Sequence, residues 1–433
     1  MKNITKLLLL TALSLGACDN ENNAEEEPQN EDIQTETLTP SPTRIRLADV
    51  PAPFASQSVT NYPQVLAQRP DDARLRAPQG YSVNTFADDL PQGRWLAVAP
   101  NGDVFVAQMM LNQITVLRDT NGDGRADERS VWATGGVLNR PMGMAFNGNY
   151  FYVACSGAIL RYDYSSGQRQ AGGQPTQLVE LPGGGQHPAR SLLLYNNKLY
   201  VGIGSSQNAA VEQDPRRTTI QEYNLDGTGG TTYASGLRNP QGMAVNPARS
   251  GEIWSVVNER DGLGDDLVPD YATVVPRGAF FGYPWAYLSP EKRDPRVTDP
   301  APPQVATTRT PEVLLRAHAA ALGLTFYTGS VFPEDARGDL FLAMRGSWNR
   351  SVGSGYKVVR VRMNAAGVPE TAGPDGRGAA YEDFVTGWQL NEGQAAPPQV
   401  WGRPVGLITG PDGSLLIAED GAGVVWRVSY RGN

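Results

Sequence analysis

Short apolar runs recur along most of this chain, and each ends at a turn signal before a second run begins. Residues 95–107 show the unit: Trp95-Leu96-Ala97-Val98, a turn at Asn101-Gly102, then Val104-Phe105-Val106-Ala107. Similar pairs occupy residues 142–154, 190–202, 241–256, 322–343 and 405–418. Apolar runs of this length, bounded by Asn-Gly or Asp-Gly, read as paired antiparallel strands. Six units arise, the first four about 50 residues apart and the last two spacings nearer 80, which is the period of propeller blades. A blade cannot bury both faces alone, so blades stack in a ring. The expected fold is therefore all-β, a six-bladed propeller of four-stranded antiparallel blades over residues 75–433. A pair of β-sandwiches fits the even repeat poorly. Helical periodicity is confined to one short candidate, residues 311–321.

Composition sharpens this picture. Glycine (48) and proline (33) suit a turn-rich β protein, and a net charge of -8 argues against a nucleic-acid partner. Lys2 and Lys6 followed by an apolar core and Leu15-Gly16-Ala17-Cys18 read as a lipoprotein signal, residues 1–18, with Cys18 the lipidated residue. This places the expected protein on the periplasmic side of the cell envelope, held to the membrane (the inner one, if Asp19 acts as a retention signal) by its lipid alone. Residues 19–43 are acidic with few large apolar side chains, and read as a disordered tether. Residues 44–74 read as an extension wrapping the domain surface. Cys155 is left as a lone thiol in an apolar strand, more simply a buried small residue than a reactive one.

Candidate chemistry gathers in four places. Residues 258–271 carry five carboxylates, Glu259, Asp261, Asp265, Asp266 and Asp270, with Gly262 and Gly264 between them. Carboxylates and carbonyls aimed by a tight backbone are ligands for a hard cation. Asp119-Thr120-Asn121-Gly122-Asp123-Gly124-Arg125-Ala126-Asp127 places Asp119, Asn121, Asp123, Arg125 and Asp127 at alternate positions with Gly124 at the sixth, as in a calcium loop, though Ser130 stands where the closing Glu belongs. We expect a structural Ca²⁺ there, in a connection from the first blade to the next; an ion-free Asx turn is the alternative. His187 in Gly183-Gly184-Gly185-Gln186-His187-Pro188-Ala189-Arg190 stands just before a blade, where a base near neutral pH could act, with Arg190 on the same rim. The other histidine is His318. Arg238, Arg345 and Arg403 stand at blade entrances or after blade strands, whereas Lys357 and Arg360 look like strand positions. Converging arginines would grip an anionic small molecule.

The sequence blocks Gly236–Gly242, residues 258–285, Leu322-Gly323-Leu324-Thr325-Phe326-Tyr327, Gly346-Ser347-Trp348-Asn349-Arg350 and Trp401-Gly402-Arg403-Pro404-Val405-Gly406 resemble the soluble quinoprotein glucose/sorbosone dehydrogenases, closest to the sorbosone or pyranose branch. The resemblance implies pyrroloquinoline quinone (PQQ) and Ca²⁺ as cofactors. It implies His187 as the base taking a substrate hydroxyl proton, and Arg190 as a rim arginine. Arg238, Asn239 and Arg403 would contact the quinone, with Arg345 pairing with one of its carboxylates. The backbone carbonyls of Asp261 and Gly262 would hold the catalytic Ca²⁺; Asp265 and Asp266 would brace the loop by hydrogen bonds or through a second ion at Asp266. The branch shows His-Trp-Thr-Arg where this chain has His187-Pro188-Ala189-Arg190, and His where this chain has Arg345. The expected function is oxidation of a sugar or sugar-like alcohol or aldehyde, with electrons passed to a quinone or cytochrome acceptor. A non-catalytic binding propeller and a calcium-dependent, lactonase-like hydrolase are the competing readings.

Overall fold

The computed structural model describes residues 35–432. Cys18, the leader and residues 19–34 of the tether lie outside the described residues. Six four-stranded antiparallel blades form a β-propeller. Their first strands are Gly93–Val98, Met144–Asn147, Arg190–Tyr195, Pro240–Val245, Ala321–Phe326 and Pro404–Thr409. These strands pack on one another around the ring. Gly143, Gly242, Gly323 and Gly406 recur at one position of the repeat because neighbouring blades meet there: a Cβ on Gly323 would collide with the Val405 carbonyl, and one on Gly143 with the Leu192 amide.

The last blade closes the ring by joining both ends of the domain. Pro404–Thr409, Leu415–Glu419 and Val424–Tyr430 pair in order, and Tyr81–Ala87 supplies the fourth strand, with Tyr81 opposite Tyr430. Apolar side chains on both faces of each blade are buried against the next, as stacking requires. Between blades five and six lies an aromatic cluster of Tyr327, Phe332, Phe341, Phe384, Trp388, Trp401 and Trp426. Phe341 and Phe384 meet edge to face with centroids 4.7 Å apart.

Three expectations change. Residues 311–321 are not helical: Val313–Ala317 is the outer strand of blade four, and His318 and Ala320 take positive φ before blade five begins. The apolar spacing there reflects strand burial, not a helix face. Part of the tether is ordered, since Glu36–Leu38 pairs with Arg76–Pro78 and Pro42–Arg44 adds a fifth strand to blade five. Pairing with an exposed strand edge uses main-chain groups and needs no apolar side chains. The Asp119 loop joins the third and fourth strands of blade one, Gln113–Arg118 and Glu128–Thr134, rather than two blades.

Antiparallel pairing puts the start of each first strand and the end of each second strand at the same end of the ring. Residues just before the first strands and just after the second strands therefore converge there. Phe341→Ala should lower stability by about 3–5 kcal/mol, because a buried ring is lost and a cavity left; chemical denaturation checks this.

Candidate active site

A cavity of about 550 Å³ opens at that end. Its lining residues follow the strand rule. His187, Arg238, His318 and Arg403 precede or begin blades three to six, and Arg94 stands at the start of blade one; Asn258, Glu259 and Asp261, and Arg345, Gly346 and Trp348, follow second strands.

His187 is held from one side. Its Nδ1 lies 2.9 Å from the Ser205 carbonyl and 3.0 Å from Ser205 Oγ, whose own proton goes to Gln207 O. A carbonyl only accepts, so Nδ1 carries the hydrogen and Nε2 keeps its lone pair. Burial, and secondarily the Arg238 charge, push its pKa down to about 3, so the ring is neutral. Arg190 does not line the cavity. It is wholly buried, donating to the carbonyls of His187 (2.7 Å), Ala189 (2.8 Å) and Pro182 (2.6 Å). The expected rim arginine is instead a brace beneath the His187 loop.

The cavity's cations outnumber their nearest carboxylates. Arg345 Nε grips Asp420 at 2.8 and 2.9 Å, and Arg94 Nε lies 3.3 Å from the same carboxylate without completing a hydrogen bond. Arg403 donates to the carbonyls of Arg345 (3.3 Å) and Gly346 (3.4 Å) and lies 6.0 Å from the Tyr356 ring centre. Burial pushes Arg94 and Arg403 down to about 10, and each repels Arg345. Burial opposes the Asp420 charge, but the three arginines hold its pKa below the ordinary value. Arg238 donates to Asn208 Oδ1 at 2.9 Å and approaches Asp261 at 3.4 Å. Asn239 accepts from Gln241 at 2.7 Å.

His318 carries no local motif; its place before blade five, matching Arg238 and Arg403 in the repeat, is the signal that the sequence holds. Its Nδ1 lies 3.1 Å from Asp261 Oδ1 and its Nε2 2.9 Å from Gly264 O. Both neighbours accept, so both nitrogens carry hydrogens. Burial disfavours that imidazolium, but Asp261 and Gly264 outweigh it and raise the pKa. Arg94, in Gly93-Arg94-Trp95, is a second residue that position alone could have found. Asp270, accepting from the amides of Glu259 and Ala320 at 2.8 Å each, is pushed up to about 7 by burial.

The acidic loop is neutralised by the chain's own cations. Gly262 and Gly264 take positive φ (87° and 127°), which turns the loop back on itself. Arg296 donates to the Asp261 carbonyl at 2.7 Å and Asn208 to the same oxygen at 2.9 Å. His318 takes Gly264 O and Arg350 takes Asp265 O. Asp266, read as a site for a second ion, pairs with Arg350 at 2.7 Å. Glu259 and Asp294 flank Arg260, which is fully buried, at 2.9 and 3.5 Å, and Asp294 also holds Arg296 at 2.8 Å. In the Asp119 loop, Asp119 accepts from Gly122 and Gly124, Asn121 from Asp123, Asp123 from Arg125, and Asp127 from Thr120. Among the described residues no three His, Cys, Asp or Glu side chains converge as a metal cluster.

A propeller with a cationic axial cavity and a neutral histidine at its wall is the class that fold and site define. The TrAA12-like family matches residues 75–271 and 297–431, and the chain belongs to that family. A PQQ-dependent pyranose dehydrogenase of Coprinopsis cinerea is 26% identical over 406 residues, covering 82% of this chain; the chain spans about half of that relative's length (54%). An uncharacterized protein of Borreliella burgdorferi is 27% identical over 376 residues, covering 82% of this chain and 91% of that one. Among solved structures, the holo PQQ domain of the Coprinopsis cinerea enzyme superposes with TM-score 0.69 at 22% identity, covering 84% of this chain and 98% of that one. A calcium structure of the Trichoderma reesei family AA12 enzyme gives 0.70 at 20%, covering 84% and 99%. The resemblance read from the sequence stands.

The two cofactors of that resemblance fare differently against these residues. PQQ carries three carboxylates, and the cavity offers Arg403, which has no carboxylate partner among the described residues, and Arg94 with an unsatisfied buried Nε. These residues fit an anionic group. Calcium on the Asp261 carbonyl does not fit as the site stands, because that oxygen already accepts from Asn208 and from a guanidinium. Arg296 lies in the stretch between the two family-matched segments. Arg296→Ala should therefore make PQQ affinity more dependent on calcium than in the unsubstituted protein, as read by titration with and without a chelator.

Proposed function

We propose that this protein is a PQQ-dependent dehydrogenase that oxidises a sugar or sugar-like alcohol, with His187 as general base. The observation that carries the reading is a neutral histidine, its Nε2 unprotonated, lining a cavity in which Arg94 and Arg345 share one carboxylate and Arg403 has none among the described residues. The pyranose dehydrogenase relative supports the substrate class. PQQ bound here would supply the two-electron acceptor for a hydride.

The chain's own residues do the rest. Ser205 fixes the His187 tautomer, so Nε2 is the atom that takes the hydroxyl proton of a sugar placed against it. Arg190 and Arg217 hold the His187 loop by its carbonyls, which keeps that atom in place. Arg94, Arg345 and Arg403 would hold the carboxylates of an anionic cofactor, and their positive charge would stabilise added negative charge there. His318 and Arg238 fix the Asp261 side chain and with it the acidic loop. No step is routed through calcium. Export, anchoring through Cys18 and electron delivery to a quinone or cytochrome belong to the same proposal and rest on the sequence reading.

The test is reconstitution of the purified protein with PQQ, followed by dye reduction over a pyranose panel. Turnover with at least one sugar is expected; PQQ binding without turnover on any of them sinks the enzyme reading in favour of a binding propeller. His187→Ala should lower kcat by about 10²–10⁴-fold while PQQ still binds. Arg403→Ala should weaken PQQ binding by about tenfold or more, since a charge-assisted contact is lost. Because the folded His187 binds its proton only near pH 3, the base form persists as pH falls from 7 to 5. The kcat/KM profile should then show no acid limb centred on 6.5, the ordinary histidine value.

A further inference from the structure

We infer that Tyr62 and Trp348 form an aromatic platform at the mouth of the axial cavity that receives a second sugar ring, so that the substrates include short oligosaccharides. This rests on the proposed sugar oxidation at His187. The segment bearing Tyr62 is a strap laid across two loops of the site. Phe54 N donates to Leu263 O at 2.7 Å, Ser58 Oγ accepts from Gly264 N at 3.0 Å, and Ser56 Oγ accepts from Asp265 N at 2.9 Å. Further along, Asn61 N donates to Trp348 O at 2.7 Å, and Asn61 Nδ2 reaches the carbonyls of Arg350, Ser351 and Ala396 at 3.2, 3.1 and 3.1 Å. The strap is thus anchored by Asn61 through main-chain groups, without help from the neighbouring ring.

That ring is nevertheless placed with care. Tyr62 stacks on Trp348 with centroids 5.4 Å apart and planes 12° from parallel. Trp348 lines the cavity, yet 38% of it is exposed, and Tyr62 is 66% exposed. Two large aromatic side chains left in water beside a cavity add little to the core, and exposed apolar surface at such a place marks a ligand contact. One face of a pyranose ring is lined by C–H groups. It suits a flat aromatic face, whose negative quadrupole attracts those hydrogens, while the sugar hydroxyls stay hydrated at the rim. The charged wall around His187 would take the reacting ring, and the platform the ring attached to it. His187-Pro188-Ala189-Arg190 carries no aromatic, so Trp348 and Tyr62 provide the stacking surface that the site retains.

The experiment compares PQQ-loaded unsubstituted protein, Tyr62→Ala and Tyr62→Trp on reducing di- and trisaccharides and on the matching monosaccharides. Tyr62→Ala should raise KM for the longer sugars by about tenfold, the scale of one lost stacking contact, with kcat and monosaccharide KM unchanged. Tyr62→Trp should restore the longer sugars. Calorimetric titration with a methyl trisaccharide and no electron acceptor reads binding without sustained turnover. If no sugar is oxidised but trisaccharide binding falls in Tyr62→Ala, the oxidation reading fails and the platform stands. Equal effects of Tyr62→Ala on short and long sugars, or no effect on either turnover or trisaccharide binding, overturn the platform.

Discussion

A four-stranded blade that is apolar on both faces is unstable in water until both faces are covered, and this constraint organises the molecule. Each blade satisfies it against two neighbours, and the ring closes when Tyr81–Ala87 pairs beside Val424–Tyr430. Close approach at the inner strands follows, with Gly143, Gly242, Gly323 and Gly406 admitting the next blade's main chain. Closure also gathers at one end the residues that begin first strands and end second strands. Loops distant in sequence thereby share one cavity.

Within that cavity the deciding interaction is electrostatic. Three guanidinium groups, Arg94, Arg345 and Arg403, surround the single carboxylate of Asp420, and burial makes each of the imperfectly paired cations costly. An anionic ligand would lower that cost. His187 stands in contrast, neutral because it is desolvated and because Arg238 is near. The arginine cluster and the neutral imidazole are therefore separate groups in one cavity, the division of roles that the proposed alcohol oxidation would use.

The acidic loop shows how charge can mislead. Five carboxylates within fourteen residues suggested a cage for a cation. In the folded protein three of them neutralise protein cations, Glu259 holding Arg260, Asp261 holding His318 and Asp266 holding Arg350, while Asp265 accepts from Ser351 and Asp270 from two backbone amides. Arg296 and His318 then occupy carbonyls of the same loop. Arg260 lies within the loop, but His318, Arg350 and Arg296 lie outside it, so no local spacing announces them.

The repeat of apolar pairs determined the fold, because burial of both faces is a local property of each strand and the turn residues between strands act within a few positions. It also determined His187, Arg238, Asn239, Arg345 and Arg403 as cavity residues, since each stands at a repeat boundary and repeat boundaries converge. Tertiary structure alone decided what those residues do. Arg190 resembles a rim arginine in sequence but is drawn beneath the loop by the carbonyls of Pro182 and His187. Arg94 and His318 carry no local motif and matter only because the ring brings them beside Asp420 and Asp261. The Tyr62–Trp348 stack joins side chains nearly three hundred residues apart. The physical reason is one of range: burial patterns and turns are written along the chain, whereas charge compensation and stacking depend on which distant groups the closed ring makes neighbours.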